Sequence, residues 1–463
     1  MGSRLSLLAV FGLTVLALLM SIAGGLGFKQ ILAITIITFQ TASIMAYWEY
    51  KVLFAIFGIF MLFLTGVINV PCFIESMHLD VIVFLLSMMM VVKYLEEKGF
   101  FEYIIAGMVE KIGPNAYLLV ALLMAVSAAS ASLVGIVTAV LFLVPMILRI
   151  ALFCRVNPIP FIYMISFAAN IGSSATVVGN PVGVLIALEV GLSFHDFLNW
   201  ATPSTLAAIL LTILLSLKVF SRDIRSLNES LASLDLSSLR VDRVSRRELA
   251  KAWCLLIGVL LPLVIHDNLE HLLHLEKGSM LIIAALGGAV TAMFLERRRL
   301  RDFIEGGVDW PLLLFFMFLF ASIGSLEHVG VTEIMATTLK EALGADAKQL
   351  IFYIAIIVGL LSSVLDNVLA VAFFIPVIKS LQLMGIDVTP LWWSMLFAAT
   401  YFGNFTIVAS TANITAVSIL ESRRAGKITF KDWMKYGPFF SIVPLMLALG
   451  ILYIRTFTVI KLP

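Results

Sequence analysis

Asn170-Ile171-Gly172-Ser173-Ser174-Ala175-Thr176-Val177-Val178-Gly179-Asn180-Pro181 interrupts an apolar stretch, 159–188, that is otherwise long enough to cross a bilayer. Glycines and small hydroxyl residues stop the first helix. Asn180 followed by Pro181 then reads as an N-cap and a first helical residue, because Asn supplies a capping oxygen and Pro has no N–H to lose there. The second half-helix would aim free backbone N–H groups and a positive dipole end into the protein centre.

A second interruption follows the same plan. Gly403-Asn404-Phe405-Thr406-Ile407-Val408-Ala409-Ser410-Thr411-Ala412-Asn413 breaks the stretch 390–419, and Ser410 or Thr411 can cap its second half. The two breaks belong to an ordered series. Leu95-Glu96-Glu97-Lys98-Gly99 and Leu326-Glu327-His328-Val329-Gly330 each close a span, 231 residues apart. Pro145 and Pro376, each expected to end an apolar leg, are also 231 apart. Thr176-Val177-Val178-Gly179 matches Thr406-Ile407-Val408-Ala409 at 230, and Ser193-Phe194-His195-Asp196-Phe197 matches Thr429-Phe430-Lys431-Asp432-Trp433 at 236. Shared apolar composition gives no such ordered series, so the chain carries an internal repeat.

Composition sets the solvent. The 463 residues are 61% hydrophobic and 13% charged, where a soluble domain carries about 25% charge. Mean hydropathy is +1.07. The fold class is therefore an all-α polytopic membrane protein. Spans are expected near 5–25, 30–47, 52–70, 80–97, 159–188, 203–220, 252–268, 278–295, 308–327, 390–419 and 437–456, about eleven transmembrane helices. Two further apolar regions, 115–150 and 347–381, hold polar residues at mid-length, Ser127 to Gly135 and Ser362 to Asn367. They read as two re-entrant hairpins of two short legs each, because irregular backbone at that depth must lie inside protein or beside water.

Basic residues give the orientation. Arg222, Arg225, Arg240, Arg243, Arg246, Arg247 and Lys251 sit in the loop 221–251; Arg297, Arg298, Arg299 and Arg301 follow two crossings later; Arg423, Arg424, Lys427, Lys431 and Lys435 follow two crossings after that. Loops 71–79, 189–202 and 269–276 hold no Lys or Arg. The positive-inside rule places the three clusters and the N-terminus in the cytoplasm, with the chain in the cell membrane. The alternation fails if each hairpin is a single span. Five crossings lie between the starts of the two copies, so the second copy is inverted, as in secondary transporters that bind substrate between such repeats. The expected organisation is N-terminal helices 1–78, a first repeat 79–220, a basic loop 221–251, connecting helices 252–302 and a second repeat 303–463.

The chemistry gathers at the breaks. Asn170, Ser173, Ser174, Thr176, Asn180, Asn404, Thr406, Ser410, Thr411 and Asn413 are the candidate substrate-binding residues. They offer dipoles and amides without a buried Lys or Arg, a setting for an anion or a polar neutral solute. Asp366 is the sharpest single residue. A carboxylate at the tip Ser362-Ser363-Val364-Leu365-Asp366-Asn367-Val368 is a functional hypothesis by default, although it can also serve merely as the cap of its hairpin leg. Asp366, Asn367 and Ser363 are the candidate coupling-ion residues, with a proton or a sodium ion at Asp366 and Asn367. The first tip has Gly135-Ile136 at the matching place, so one ion site is expected rather than two.

Other chemistries find no support. Cys72, Cys154 and Cys254 lie far apart without a CxxC pattern, and His195, His266, His271 and His274 form no metal-ligand spacing. There is no Walker motif for ATP, no cofactor signature, no nucleophile–base set of an enzyme, and nothing that selects nucleic acid. Glu96, Glu97 and Glu327 read as interfacial charges, and Asp196 and Asp432 as anchors.

The Asn170–Pro181 motif, Leu365-Asp366-Asn367-Val368 with Pro376, and the Gly403–Asn413 motif resemble the ion transporter superfamily. That group includes citrate–metal transporters, divalent anion–sodium symporters, arsenite permeases, NhaD-type sodium–proton antiporters and melanosomal P-type proteins. The chain is most similar to the arsenite permease, NhaD and P-protein branch, over about 80–438. The resemblance implies two re-entrant hairpins, two broken helices, a homodimer and an elevator-like movement of the transport part. Members often carry a Leu-Asp-Asn or Ser-Asn-Thr type tip in the first hairpin, and Asp-Pro-Pro-Asn after the first break. Here Val134-Gly135-Ile136 and Asn180-Pro181-Val182-Gly183 stand instead. The expected function is secondary active transport of a small anion or oxyanion acid of the arsenite, silicate or carboxylate class, coupled to protons or one cation. A sodium–proton antiporter and, from another class, an ion channel are the alternatives.

Overall fold

The computed structural model describes residues 2–101, 103, 104, 115–232, 245–344 and 346–457. Residues 233–244 of the basic loop, with Arg240 and Arg243, lie outside the described residues, as do 102 and 105–114 of the first repeat and 345 and 458–463 of the second. Among the described residues all regular structure is helical. The rest of the basic segment is less of a loop than expected. Ser221–Ala232 is a helix, and its Ile224, Leu227 and Leu231, at helical spacing, are buried.

Eight described helices are long and apolar enough to cross a membrane. The number is nine if Ser279–Leu295 and Arg297–Gly307, bent by 81°, form one span. Three of the eight, Ala116–Val134, Ile136–Phe153 and Ala347–Val364, are hairpin legs, so five of the eleven expected spans are among them, six with the bent pair; the first, at Leu7–Ala23, is a shorter apolar helix, and the others fall short for physical reasons. Lys51–Leu64 has only 14 residues. Both interrupted stretches fall into short pieces, Ile159–Gly172 with Pro181–Val190 and Thr389–Tyr401 with Thr411–Ser422. Arg246–Val264 begins with two arginines and a glutamate, so its apolar part is shorter than its helix.

The hairpin legs are not short. Ala116–Val134 and Ile136–Phe153 have 19 and 18 residues, and Ala347–Val364 and Asn367–Leu383 have 18 and 17. At 1.5 Å per residue each is about 26–28 Å long, close to the roughly 30 Å of a hydrocarbon core. Length therefore does not separate a re-entrant hairpin from two full crossings. Either contributes an even number of crossings, so the alternation of basic loops holds in both cases. Pro145 and Pro376 do not end the legs as expected; each lies inside the second leg of its pair. Membrane helices tolerate this where neighbouring groups satisfy the freed carbonyl.

The chain forms two compact units. The first comprises Met1–Leu86, Val308–Leu350 and Ala372–Val388. Its core packs Ala33, Ile36 and Ile37 with Ile59, Leu62, Ala321 and Leu326. Gln40 is buried there, its Nε2 donating to Ser322 Oγ at 3.0 Å.

The second unit comprises Ser87–Gly307, Ile351–Val371 and Thr389–Pro463. Its core joins Ala116–Val134, Ile136–Phe153 and Ile159–Gly172 to the aromatic side chains of Phe220, Trp433 and Phe440. Small residues allow the closest approach. A Cβ on Gly172 would stand 2.4 Å from Ala128 Cα, so those two helices meet backbone to backbone.

Candidate functional site

Every candidate residue of both breaks and of the Asp366 tip falls within the second unit. At the first break, helix Ile159–Gly172 stops at Ser173, a short 3-10 turn covers Val177–Gly179, and Pro181 starts the next helix. Asn180 is extended and caps it: Oδ1 accepts from Gly183 N at 2.8 Å, while Nδ2 donates to Ser173 O at 3.0 Å and Ser173 Oγ at 2.9 Å. One side chain thus closes the gap and caps the new helix. Ser174 Oγ shares a 2.7 Å hydrogen bond with Thr205 Oγ1, to which the buried Tyr401 hydroxyl donates at 3.4 Å.

At the second break, Thr389–Tyr401 passes through a turn at Phe402–Asn404, and Ser410 caps Thr411–Ser422 by accepting from Ala412 N at 3.3 Å. Asn413 Nδ2 donates to Gly403 O at 2.7 Å and Thr406 O at 3.1 Å, holding this gap closed. Thr411 is half-buried at the first helical position.

The two breaks meet through three asparagines. Asn170 Nδ2 donates to Asn404 Oδ1 at 2.7 Å and to Asn413 Oδ1 at 2.9 Å. All three side chains are fully buried, and Asn170 Oδ1 has no hydrogen-bond partner among the described residues. Asn404 is fixed in turn, its Nδ2 donating to Phe167 O and Phe440 O at 3.3 Å each.

Each break is also tied to a hairpin tip by the same kind of bond. Thr176 Oγ1 donates to Ser132 O, and Thr406 Oγ1 donates to Ser363 O at 2.7 Å. Ser132 and Ser363 are 231 residues apart and the threonines 230, so the bond obeys the internal offset. The caps after the breaks match too. Ser193 and Asp196 form a capping box, as do Thr429 and Asp432. Asp196 and Asp432 therefore hold turns.

The tips themselves differ. Gly135 has φ +97°, a conformation that favours glycine, and a Cβ there would meet nothing within 4 Å. Asp366 is 6% exposed, and its Oδ1 accepts from Val368 N at 2.9 Å, capping Asn367–Leu383. Ser363 Oγ donates back to Leu360 O at 2.7 Å, and Asn367 is nearly buried beside Asp366.

Four contributors escaped the sequence reading. Ser132 was findable from Ser363 by the constant offset. Thr205 and Tyr401 carry hydroxyls inside apolar helices, a signal too common in membrane proteins to single them out. Trp433 Nε1 donates to Asn404 O at 2.7 Å, and no pattern in the sequence announces that contact.

Away from the breaks lies a network of charges. Lys98 Nζ stands 2.5 Å from Glu296 and 3.6 Å from Glu248, Lys251 donates to Glu248 at 2.7 Å, and Arg299 joins Glu296 and Glu97 at 3.0 Å each. The Lys251 hydrogen bond, with help from Lys98, holds the Glu248 carboxyl below its ordinary range. Burial pushes Glu296 up, but Lys98 and Arg299 outweigh it and leave this carboxyl lowered as well.

The model of a family described as citrate transporter matches residues 44–398 and 271–459. The chain belongs to this citrate transporter family. It is a family of transporters, not of enzymes. An uncharacterized transporter of Mycobacterium tuberculosis is 32% identical over 82% of this chain and 86% of its own length. The 46 kDa membrane protein of Mycobacterium leprae is 30% identical over 81% and 86%. The human P protein is 22% identical over 82% of this chain and 54% of its own. The YdaH transporter of Alcanivorax borkumensis has the same fold, with a TM-score of 0.57 at 16% identity over 86% of this chain and 88% of that one. This citrate transporter family member is thus an integral, multi-pass membrane protein that carries a solute; its two breaks are hydrogen-bonded to each other, and each is hydrogen-bonded to a tip.

Proposed function

We propose that this citrate transporter family protein is a secondary active transporter of a small anion or oxyanion acid, coupled to protons or to one cation. The supporting observation is that the two breaks are bonded to each other, Asn170 to Asn404 and Asn413, while each break is bonded to a tip, Thr176 to Ser132 and Thr406 to Ser363. Two half-helices begin next to these bonds, at Pro181 and Thr411. The first turn of a helix holds more N–H groups than one cap satisfies. Those groups stabilise negative charge without a buried Lys or Arg. Asp366, with Ser363 and Asn367, takes the coupling proton or a sodium ion. Within the candidate set, Thr176, Asn180, Thr406, Ser410 and Thr411 face the substrate. Asn170, Asn404 and Asn413 spend their amides on one another and hold the two breaks in register.

The topology that serves this function has eleven crossings, two re-entrant hairpins and an inverted repeat, with the N-terminus and the segment 221–251 in the cytoplasm. The protein works as a homodimer by an elevator-type movement. A sodium–proton antiporter is the second reading, favoured by the buried Asp366 carboxylate at one tip against Gly135 at the other. Purified protein in liposomes tests the first reading: arsenite, silicate, sulfate or citrate should accumulate under a proton or sodium gradient. Lack of flux for all four, with sodium-driven proton movement, would leave the antiporter.

A further inference from the structure

We propose that the loop Arg423–Lys435 is a docking surface for anionic phospholipid headgroups, linked by Trp433 to the second break. The loop joins Thr411–Ser422 to the long apolar helix Gly437–Phe457, which puts it at the membrane edge. Arg423, Arg424, Lys427, Lys431 and Lys435 are all exposed there. Among the described residues, only Lys435 has its charge taken up nearby, by Asp432 at 2.8 Å. Phe430, 55% exposed, stands between Thr429 and Lys431 in a turn fixed by the Thr429–Asp432 capping box. A cationic surface with a protruding aromatic ring suits a headgroup layer, where charge meets phosphate and the ring enters the acyl boundary.

Neighbouring elements extend the surface. Gly426 lies against Ile159, next to the exposed Arg155, and the Tyr436 ring sits 4.9 Å from that of Phe220. Arg155 and Arg424 have φ of +54° and +52°, in the left-handed region where glycine is the usual residue after a helix. Both ends also gain from a positive charge near the helix C-terminus. Either way the cation is presented outward. An acidic protein or a nucleic acid would need the charge displayed away from the bilayer. Here Phe430 and Phe439, the latter 42% exposed, keep apolar surface beside it.

The same turn reaches the break. Trp433 is fully buried between Tyr163 and Phe167, with ring centroids 5.2 and 5.5 Å away, and its Nε1 holds Asn404 O. Asn404 Oδ1 in turn accepts from Asn170. A headgroup that fixes the turn therefore fixes the carbonyl at which the second break begins. That consequence for transport rests on the function proposed above; the lipid surface does not.

Delipidated full-length protein in an uncharged detergent, titrated with phosphatidylglycerol or phosphatidylcholine and observed by native mass spectrometry, tests the surface directly. Phosphatidylglycerol should be retained about tenfold more tightly than phosphatidylcholine or better, given several cations near one headgroup layer. The R423Q/R424Q/K427Q/K431Q variant should lose that preference. The charge-preserving R423K/R424K/K427R/K431R variant and the distant R297Q/R298Q variant should keep it. Equal retention of both lipids by the unaltered protein would overturn the proposal, as would a fourfold Gln variant that still prefers phosphatidylglycerol. Displacement of the lipid by inorganic phosphate at matched concentration would also overturn it, because the surface would then be a free-phosphate site.

Discussion

Asn170 and Asn404, 234 residues apart, share a 2.7 Å hydrogen bond in a fully buried site, and that bond joins the two helix breaks. Asn170 uses its two N–H groups on two different amide oxygens, Asn404 Oδ1 and Asn413 Oδ1. Neither acceptor turns freely to a new partner, since Asn404 Nδ2 and Asn413 Nδ2 are held by backbone carbonyls.

Asn170→Ala should therefore leave two buried oxygens without their donor, at roughly 1–3 kcal/mol each. Thermal unfolding in detergent should show a midpoint several degrees lower. Asn170→Asp should be worse at neutral pH, because a carboxylate would face two acceptors. A midpoint unchanged by either substitution would mean that the amides do not hold the breaks.

The paired threonine anchors should behave alike. Thr176→Val and Thr406→Val keep the shape and remove the hydroxyl that binds Ser132 O and Ser363 O. Each should cost about 1–2 kcal/mol, with Thr→Ser largely neutral. Thr406 should cost more, since its Oγ1 also accepts from Ala409 N at 3.1 Å. Urea or thermal melts of the four variants decide this.

Gly172→Ala places a methyl 2.4 Å from Ala128 Cα and 2.5 Å from Ala128 O. Backbone cannot swing aside as a side-chain tip does, so the helices must part, at about 1–3 kcal/mol or more. Ala128→Gly should rescue only part of the loss, because Cα and O remain. Full rescue, seen by size-exclusion yield and melting, would place the clash elsewhere.

The charge network makes a pH prediction. Glu248 and Glu296 are held below the ordinary value of 4.5 by Lys251, Lys98 and Arg299. Lowered carboxyls contribute stability that is present above their unfolded value and lost as pH falls through the folded one. Stability should thus be flat near neutrality and drop as pH is taken below about 4.5, the range of a free carboxylate. Lys98→Met should shrink that acid-sensitive part. It should also cost less at pH 7 than the roughly 3–5 kcal/mol of a broken buried pair, since Arg299 still reaches Glu296. Melting midpoints from pH 7 to pH 4 for both proteins provide the check.

Local chemistry made part of this legible in advance. Asn180-Pro181 announces a cap wherever the chain goes, and the constant offset pairs Thr176 with Thr406. The same offset aligns Gly135 with Asp366, so the unequal tips were readable too. What failed depends on partners far away in sequence. The set Asn170, Asn404 and Asn413 was visible as polar residues at breaks, but nothing local says that their amides would satisfy one another before any substrate. Hydropathy placed the apolar segments but not the helix ends, because it sees the apolar run of 252–268 and not the charged turn with which the helix Arg246–Val264 begins. It also gave the hairpins short legs, because the Ser127–Gly135 run looked like a polar gap, whereas Ser127 Oγ donates to Ile165 O from within a helix. Small residues there serve close packing against Gly172 rather than a break.

Gradient-driven uptake by Asp366→Asn in proteoliposomes is the decisive measurement. Asparagine is as good an N-cap as aspartate, so the bond to Val368 N survives while the charge is lost. Unaltered protein should accumulate its anion against a gradient when protons or sodium are supplied. Asp366→Asn should still exchange labelled for unlabelled anion, yet fail to accumulate it under either ion gradient. Accumulation by Asp366→Asn equal to that of the unaltered protein would show that the coupling ion does not use this carboxylate.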